Sequence, residues 1–334
     1  MKSWALVLAA LLPTIAEAAG PEPFDKPAGE PRDPPHLDPN LPVFFDPPEP
    51  RLGDLLLVYV HAEDARVLRG GLRIFGYEVE LMRVDAQHLR AVVAVPIDLD
   101  PGKYAVEIDA PGAPSEAVLR VVDRPFEESR LTVAPKFTEK PTPELRRRLA
   151  QEERAWAAMF ALPPEAPRFA GVFVRPVLGE VTSPYGVRRT FNGKLDSRHY
   201  GLDLEARVGD PIHAAAPGKV VMSAMRWASG GTVVLDHGDG MFTAYFHMSK
   251  RLRKVGEVVR AGTLLGLAGK TGRVTGPHLH FSVLVRMETH NRQGTPRAVG
   301  LFVDPEAALG LTFLGDARYL EPAEPPAEQV GRGG

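Results

Sequence analysis

Two histidines one residue apart, His278 and His280, lie in the apolar stretch TGPHLHF (275–281). In an extended strand, residues i and i+2 project to the same face. Both imidazoles are then delivered to one space while Leu279 packs behind them. A second pair, His199 and Asp203, sits upstream in SRHYGLDLEA. Fully extended, their Cα atoms would be up to about 13 Å apart. They can serve one centre only if the chain bends at Gly201 or two long side chains converge. A further histidine, His247, ends the segment FTAYFHM. Read as a strand, that segment puts Thr243, Tyr245 and His247 on one face and Ala244, Phe246 and Met248 on the other. Each signal is weak alone, since ten histidines in 334 residues give roughly 0.3 such i, i+2 pairs by chance.

Together these residues have the chemistry of a metal centre. Two neutral imidazoles and one carboxylate make a three-ligand zinc site with an open position for water. Zinc lowers the pKa of that water from about 15.7 to about 7. The remaining histidines can accept its proton or donate hydrogen bonds to a developing oxyanion. Spacing leaves open which three side chains bind the ion. The chain contains no cysteine, which excludes disulfides, thiol nucleophiles and thiolate ligands and leaves His, Asp and Glu as the strong metal ligands.

A hydrophobic share of 44%, a charged share of 25% and a formal net charge of −2 describe a globular protein with a real core. Nothing in that balance points to nucleic acid or an anionic membrane surface as a partner. Residues 1–18 read as an export signal: Lys2, the apolar run WALVLAALLPTIA, then Ala16-Glu17-Ala18 for cleavage. No later stretch is apolar enough to span a bilayer, so no integral membrane segment is expected after cleavage. Residues 19–50 form a proline-rich arm in which PVFF can dock on a domain.

From 51 to 123 short Val-, Ile-, Leu- and Tyr-rich runs alternate with turns, which predicts an N-terminal immunoglobulin-like β-sandwich. The linker 124–170 holds a helix over 143–161, with Thr142 as cap, Pro143 in the first turn, and Leu145, Leu149, Trp156 and Phe160 near one face. Its Arg and Glu residues read as a solvated face. Residues 171–310 are β-rich again and include a hairpin at TVVLDHGDGMFTAYFHM, and 311–334 have the composition of a largely disordered tail. The fold class is therefore mainly β. His61, His88, His213 and His237 are expected to be structural, and His290 solvent-exposed.

From Gly179 past Phe281 the chain carries GEVTSPYGVRRTFNGKLDSRHYGLDLEA, VVLDHGDGMFTAYFHM and GLAGKTGRVTGPHLHF in that order. This ordered set resembles lysostaphin-type (LytM) zinc endopeptidases, which cut peptide bridges in bacterial peptidoglycan. The upstream part resembles secreted members with an N-terminal β domain. The resemblance implies a groove floored by an antiparallel sheet, with one Zn2+ per chain at its base. It implies that His199, Asp203 and His280 are the metal ligands, and that His247 and His278 are catalytic histidines flanking the water and the scissile carbonyl. It further implies an exported protein, periplasmic or extracellular at the cell wall, acting on peptidoglycan cross-link peptides. D-alanyl–diaminopimelate cross-links and glycine bridges remain open as substrates, and protein regulators unknown.

The competing reading is a catalytically silent relative that binds wall or activates another hydrolase. Such relatives lose ligands or catalytic histidines, and this chain has lost none. Two departures stand out. Ser282 occupies a position where members usually carry an acid, so support from that carboxylate is missing or supplied elsewhere. The loop RRTFNGKLDS lacks the tyrosine that some members place before the first ligand. The insertion RMETHNRQGTPRAVG is expected to form a rim of the groove.

Overall fold

Runs of β-branched and aromatic residues between glycine and proline breaks become strands throughout this chain. A computed structural model describes residues 41–61, 69–110, 112–193 and 195–314. The expected export signal, most of the proline-rich arm and the tail beyond 314 lie outside the described residues. The N-terminal part contains β1 (Val43–Asp46), β2 (Leu55–His61), β3 (Arg69–Ile74), β4 (Tyr77–Arg83), β5 (His88–Ala94), β6 (Gly102–Asp109), β7 (Glu116–Val121) and β8 (Glu128–Leu131). Helix α1 (Pro143–Phe160) follows, then β9 (Val181–Ser183), β10 (Arg188–Phe191), β11 (Leu195–Arg198), β12 (Leu202–Leu204) and β13 (Pro211–His213). The remainder is β14 (Gly218–Arg226), β15 (Gly230–Asp236), β16 (Met241–Met248), β17 (Lys250–Arg251), β18 (Val258–Val259), β19 (Leu264–Leu267), β20 (Leu279–His290), β21 (Pro296–Val303) and α2 (Pro305–Leu309).

Among the described residues, fifteen strands join in one antiparallel network whose main path is β1-β2-β5-β4-β20-β16-β15-β14-β18. In the N-terminal part β2, β5, β4, β3, β6 and β7 are hydrogen-bonded in succession. The link is β4, which pairs with β3 along its length and with β5 through Met82 and Arg83. Its Glu78 also meets Glu288 of β20, joining the two halves of the molecule. PVFF does dock: Val43–Asp46 pair with Leu57–Val60 of β2. The start of the expected tail is packed as well, with Leu311 and Phe313 buried and Phe313 bonded to Gly171.

The segment expected as a groove rim is the distal half of the β20–β21 hairpin. Pairing continues from Val283↔Val303 to His290↔Pro296, because RMETH alternates as a strand and NRQGT closes a turn. It runs toward β4 and away from the groove, whose lining includes none of residues 286–300. His290 is exposed, as expected.

β20 divides the core by alternation. Leu279, Phe281, Val283 and Val285 face the larger cluster, while Leu284 joins Val234, Phe242, Ala244 and Phe246 on the opposite face. Helix α1 covers this second face. Thr142 Oγ1 accepts the Leu145 N–H at 3.2 Å, and Pro143 occupies the first turn. Phe160, 1% exposed, packs edge-on against Phe242 at 5.1 Å; burying such a side chain contributes about 1.5–3 kcal/mol. One helix acid departs from the solvated face expected of it. Glu152 accepts the Trp227 N–H at 3.0 and 3.1 Å and Arg148 Nε–H at 2.9 Å, fastening α1 to the loop after β14. Among the described residues, no helix is long and apolar enough to cross a membrane.

A buried ion pair ties the halves together. Arg90 of β5 donates through Nε to Asp239 Oδ2 at 2.7 Å and through Nη1 to Leu314 O at 2.7 Å. Asp239 sits in the β15–β16 turn, where Gly238, Asp239 and Gly240 have φ of 73°, 52° and 70°. Glycine and aspartate tolerate that left-handed run, which turns the carboxylate toward Arg90. Asp239→Asn, which leaves the Arg90 charge buried without a counter-charge, is expected to lower unfolding stability in urea by about 3–5 kcal/mol. Adding Arg90→Met to that variant should restore part of the loss.

Candidate metal centre

Asp203 lies on β12, between β9 and β20, directly opposite Ser183 on one side and His280 on the other. His199 precedes β12 and is pinned by its own backbone: its N–H bonds Val187 O at 2.9 Å, and its carbonyl accepts the Gly186 N–H at 2.8 Å. The chain then crosses to β12 through Tyr200 and Gly201. Gly201 is needed for close approach. A methyl there would collide with His280 Nε2 and come within 2.6 Å of Phe281 O and Ser282 Oγ.

Three ligand atoms converge as a result. Asp203 Oδ1 lies 2.9 Å from His199 Nε2 and 2.8 Å from His280 Nδ1, and the two nitrogens are 2.9 Å apart. The protons of both rings point elsewhere. His199 Nδ1 is 2.6 Å from Pro184 O, and a carbonyl can only accept, so Nδ1 carries the hydrogen and Nε2 a lone pair. Ser282 donates its hydroxyl to Tyr200 O at 2.8 Å and so accepts from His280 Nε2–H at 3.0 Å, leaving Nδ1 unprotonated. Three electron-pair donors within 2.9 Å and no ring proton among them repel one another unless a cation lies between. Two imidazoles and a carboxylate are the donor set of a metal ion, and these three residues could hold one.

Burial alone would raise the Asp203 carboxyl; it falls well below the usual carboxylate range only when positive charge or N–H donors face it from the His199 and His280 side, the place a cation would take. Burial pushes His280 down to about 4 in spite of Asp203. Asp203 Oδ2 is held by Arg189 Nη2–H at 2.7 Å, and the same guanidinium reaches Ser183 Oγ at 2.7 Å. Sequence reasoning passed over Arg189. Its only signal was a doubled arginine in the loop that lacks the tyrosine. Ser282, read as a departure, proves to be the hydrogen-bond partner that orients His280.

His278 and His247 adjoin this centre. His278 directly precedes β20, with Nδ1–H donating to Gly276 O at 3.0 Å and Nε2 3.5 Å from Asp203 Oδ1. His247 contradicts the alternation expected of FTAYFHM. The β15–β16 register passes from Val233↔Tyr245 to Gly231↔Met248, so Phe246 and His247 both oppose Thr232. This bulge, with His247 at φ 62°, turns the imidazole away from the Tyr245 face and into the groove. Its Nδ1–H donates to Thr271 O at 2.8 Å, and its ring lies 4.9 Å from that of His278. Burial, then the neighbouring His280 and His278, push His247 down to about 3. It is therefore neutral at neutral pH, with Nε2 free to take a proton.

All five side chains open on one groove of about 860 Å³. Its walls include Leu131 of β8, Leu149 and Trp156 of α1, and Phe302 of β21. Among the described residues, the other histidines lie outside its lining. His88 bonds the Asp85 carboxylate beside His61 on the N-terminal strands, and His213 is buried in β13. His237 is buried against Pro217 O at 2.6 Å and Thr243 Oγ1 at 2.8 Å.

Comparison with known proteins agrees with this geometry. Residues 197–293 match Peptidase family M23, and the chain carries a peptidase domain of that family. It is 46% identical over 154 residues to peptidoglycan DD-endopeptidase ShyC of Vibrio cholerae, covering 46% of this chain and 34% of the relative. It is 37% identical over 100 residues to glycyl-glycine endopeptidase ALE-1 of Staphylococcus capitis, covering 29% and 28%. The crystal structure of a putative M23 peptidase from Pseudomonas aeruginosa superposes with a TM-score of 0.55 at 26% identity, over 79% of this chain and 95% of that one. The chain spans about a third of the length of these two curated relatives.

Two expectations follow. Gly201→Ala and Ser282→Ala, which disturb the His280 ring without removing a ligand, should each weaken metal affinity roughly 10–100-fold, measured by competition with a chromogenic chelator. His237, pushed down to about 4 by burial, titrates below its unfolded value of about 6.5. Its contribution to stability is complete above about pH 6.5 and lost as pH falls toward 4. In His237→Gln, the drop in unfolding stability between pH 7 and 4.5 should therefore be smaller than in the unaltered protein.

Proposed function

We propose that the protein is an exported, zinc-dependent endopeptidase that hydrolyses the peptide cross-links of bacterial peptidoglycan. The observation that carries this reading is the convergence of three unprotonated donors beside two further histidines in one groove. The M23 domain and the names of the relatives, peptidoglycan DD-endopeptidase and glycyl-glycine endopeptidase, support it. His199, Asp203 and His280 would hold the ion. When bound, zinc supplies Lewis acidity and an acidified water as nucleophile at neutral pH.

The remaining chemistry belongs to the chain. Thr271 O and Gly276 O fix the Nδ1 protons of His247 and His278, so both rings offer Nε2 to the groove. A neutral imidazole there accepts the proton of the attacking water. Once protonated, it donates to the oxyanion or the leaving amine. Arg189 holds Asp203 Oδ2, which leaves Oδ1 to face the two ligand imidazoles. Trp156, Phe246 and Phe302 form an apolar wall that excludes water from one side of the scissile peptide.

His280→Ala should lose bound metal and activity together. His247→Ala should keep zinc and lose turnover by roughly 10²–10⁴-fold. Soluble peptides released from purified wall, with and without chelator, and direct metal analysis provide the measurements. A His247→Ala protein with normal turnover would remove that residue from the mechanism. Unaltered protein that holds zinc but releases nothing would favour a wall-binding activator instead.

A further inference from the structure

Four arginines line the groove: Arg189, Arg198, Arg226 and Arg273. Three have acceptors. Arg189 bonds Asp203, Arg198 pairs with Asp98 at 3.3 Å, and Arg226 donates to Glu152 O at 3.2 Å. Among the described residues, no carboxylate or carbonyl accepts from the Arg273 guanidinium. Its Cζ lies over the Phe191 ring, 4.4 Å from the centroid, a contact that uses none of its N–H donors as hydrogen bonds to a carboxylate or carbonyl. It is also partly buried near Arg189, so burial and a like charge both disfavour its cationic form. A cation held in that position lacks its anion.

The loop that carries it adds meaning. Arg273 lies between Thr271 and Gly276, whose carbonyls orient His247 and His278, and its own N–H is pinned to Ala228 O at 2.7 Å. The guanidinium is thus positioned by the same short segment that aims the two imidazoles. Resting on the proposed peptidase function, we propose that Arg273 is a specificity residue that binds a substrate carboxylate on the carbon bearing the scissile nitrogen. The chemistry separates two substrate classes. A bridge of glycines has no charge beside its scissile bonds. Where the scissile nitrogen is the α-amine of a terminal amino acid, that residue's carboxylate is attached to the same carbon. A planar fork of N–H donors suits such a carboxylate.

The test compares two cross-linked peptides, one with the free α-carboxylate on the amine side and one with that carboxylate amidated. It uses zinc-loaded full-length protein. The unaltered protein should cleave the free-carboxylate peptide with kcat/KM roughly 10–100-fold higher. In Arg273→Met, which retains bulk over Phe191, that ratio should collapse toward one, chiefly through KM, with metal content unchanged. Arg273→Lys should keep part of the preference. Unaltered protein that cleaves both peptides equally would overturn this assignment alone. So would an Arg273→Met protein that slows both by the same factor, which would mark a packing role. Unaltered protein that cleaves neither would overturn the peptidase reading and this proposal with it.

Discussion

Three lone pairs meeting without a proton to share form an arrangement that a protein can hold only by fixing every hydrogen elsewhere. The groups that fix them surround the centre. Pro184 O takes the His199 hydrogen, Ser282 takes that of His280, and Tyr200 O takes that of Ser282. Arg189 occupies the spare oxygen of Asp203. These partners come from β9 and its exit, from β10, from the β11–β12 crossing and from β20, so the centre exists only when those elements are paired. The register Ser183–Asp203–His280 across three strands is therefore as much a part of the site as the three converging side chains. Even the absence of a side chain at Gly201 is part of it, because the crossing strand passes over the imidazole it must leave in place.

A second constraint governs the remaining histidines. Neither is aimed by simple strand alternation. His247 depends on one extra residue in β16, and His278 on the turn before β20, which contacts Gly269 by a single bridge. Both Nδ1 protons are taken by main-chain carbonyls of one loop, at Thr271 and Gly276. Burial, with His280 and His278 beside it, then keeps His247 uncharged. Main-chain anchoring tolerates changes in nearby side chains better than a side-chain partner would, while a shift of this loop would turn both rings together.

How far the sequence reveals this depends on whether a feature is local. The nearness of His278 and His280 in sequence and the capping of α1 by Thr142 are properties of short segments and could be read directly, although only His280 lies within β20. The His247 bulge could not be read, because an extra residue is extra only against a partner strand. Arg189 was passed over for the same reason: fourteen residues separate it from the carboxylate it binds. Strand content in the N-terminal part was legible, but the continuous hydrogen-bonded path was not, since it depends on β4 pairing with β3 and, through Met82 and Arg83, with β5. Ser282 shows a different limit. An expected acid drew attention to what the residue is not, while its hydroxyl performs the orienting hydrogen bond.

The shared domain does not shape the groove by itself. Residues 197–293 contain His199, Asp203, His247, His278 and His280. Yet Leu131, Leu149, Trp156, Arg189, Phe191 and Phe302 lie outside that span and line the same cavity. Helix α1 is placed there by Phe160 in the second core cluster and by Glu152 fastened to Trp227. Chemistry and access are therefore set by different parts of the chain. The five side chains alone therefore do not define the groove: its walls are supplied by β8, α1, β10 and β21.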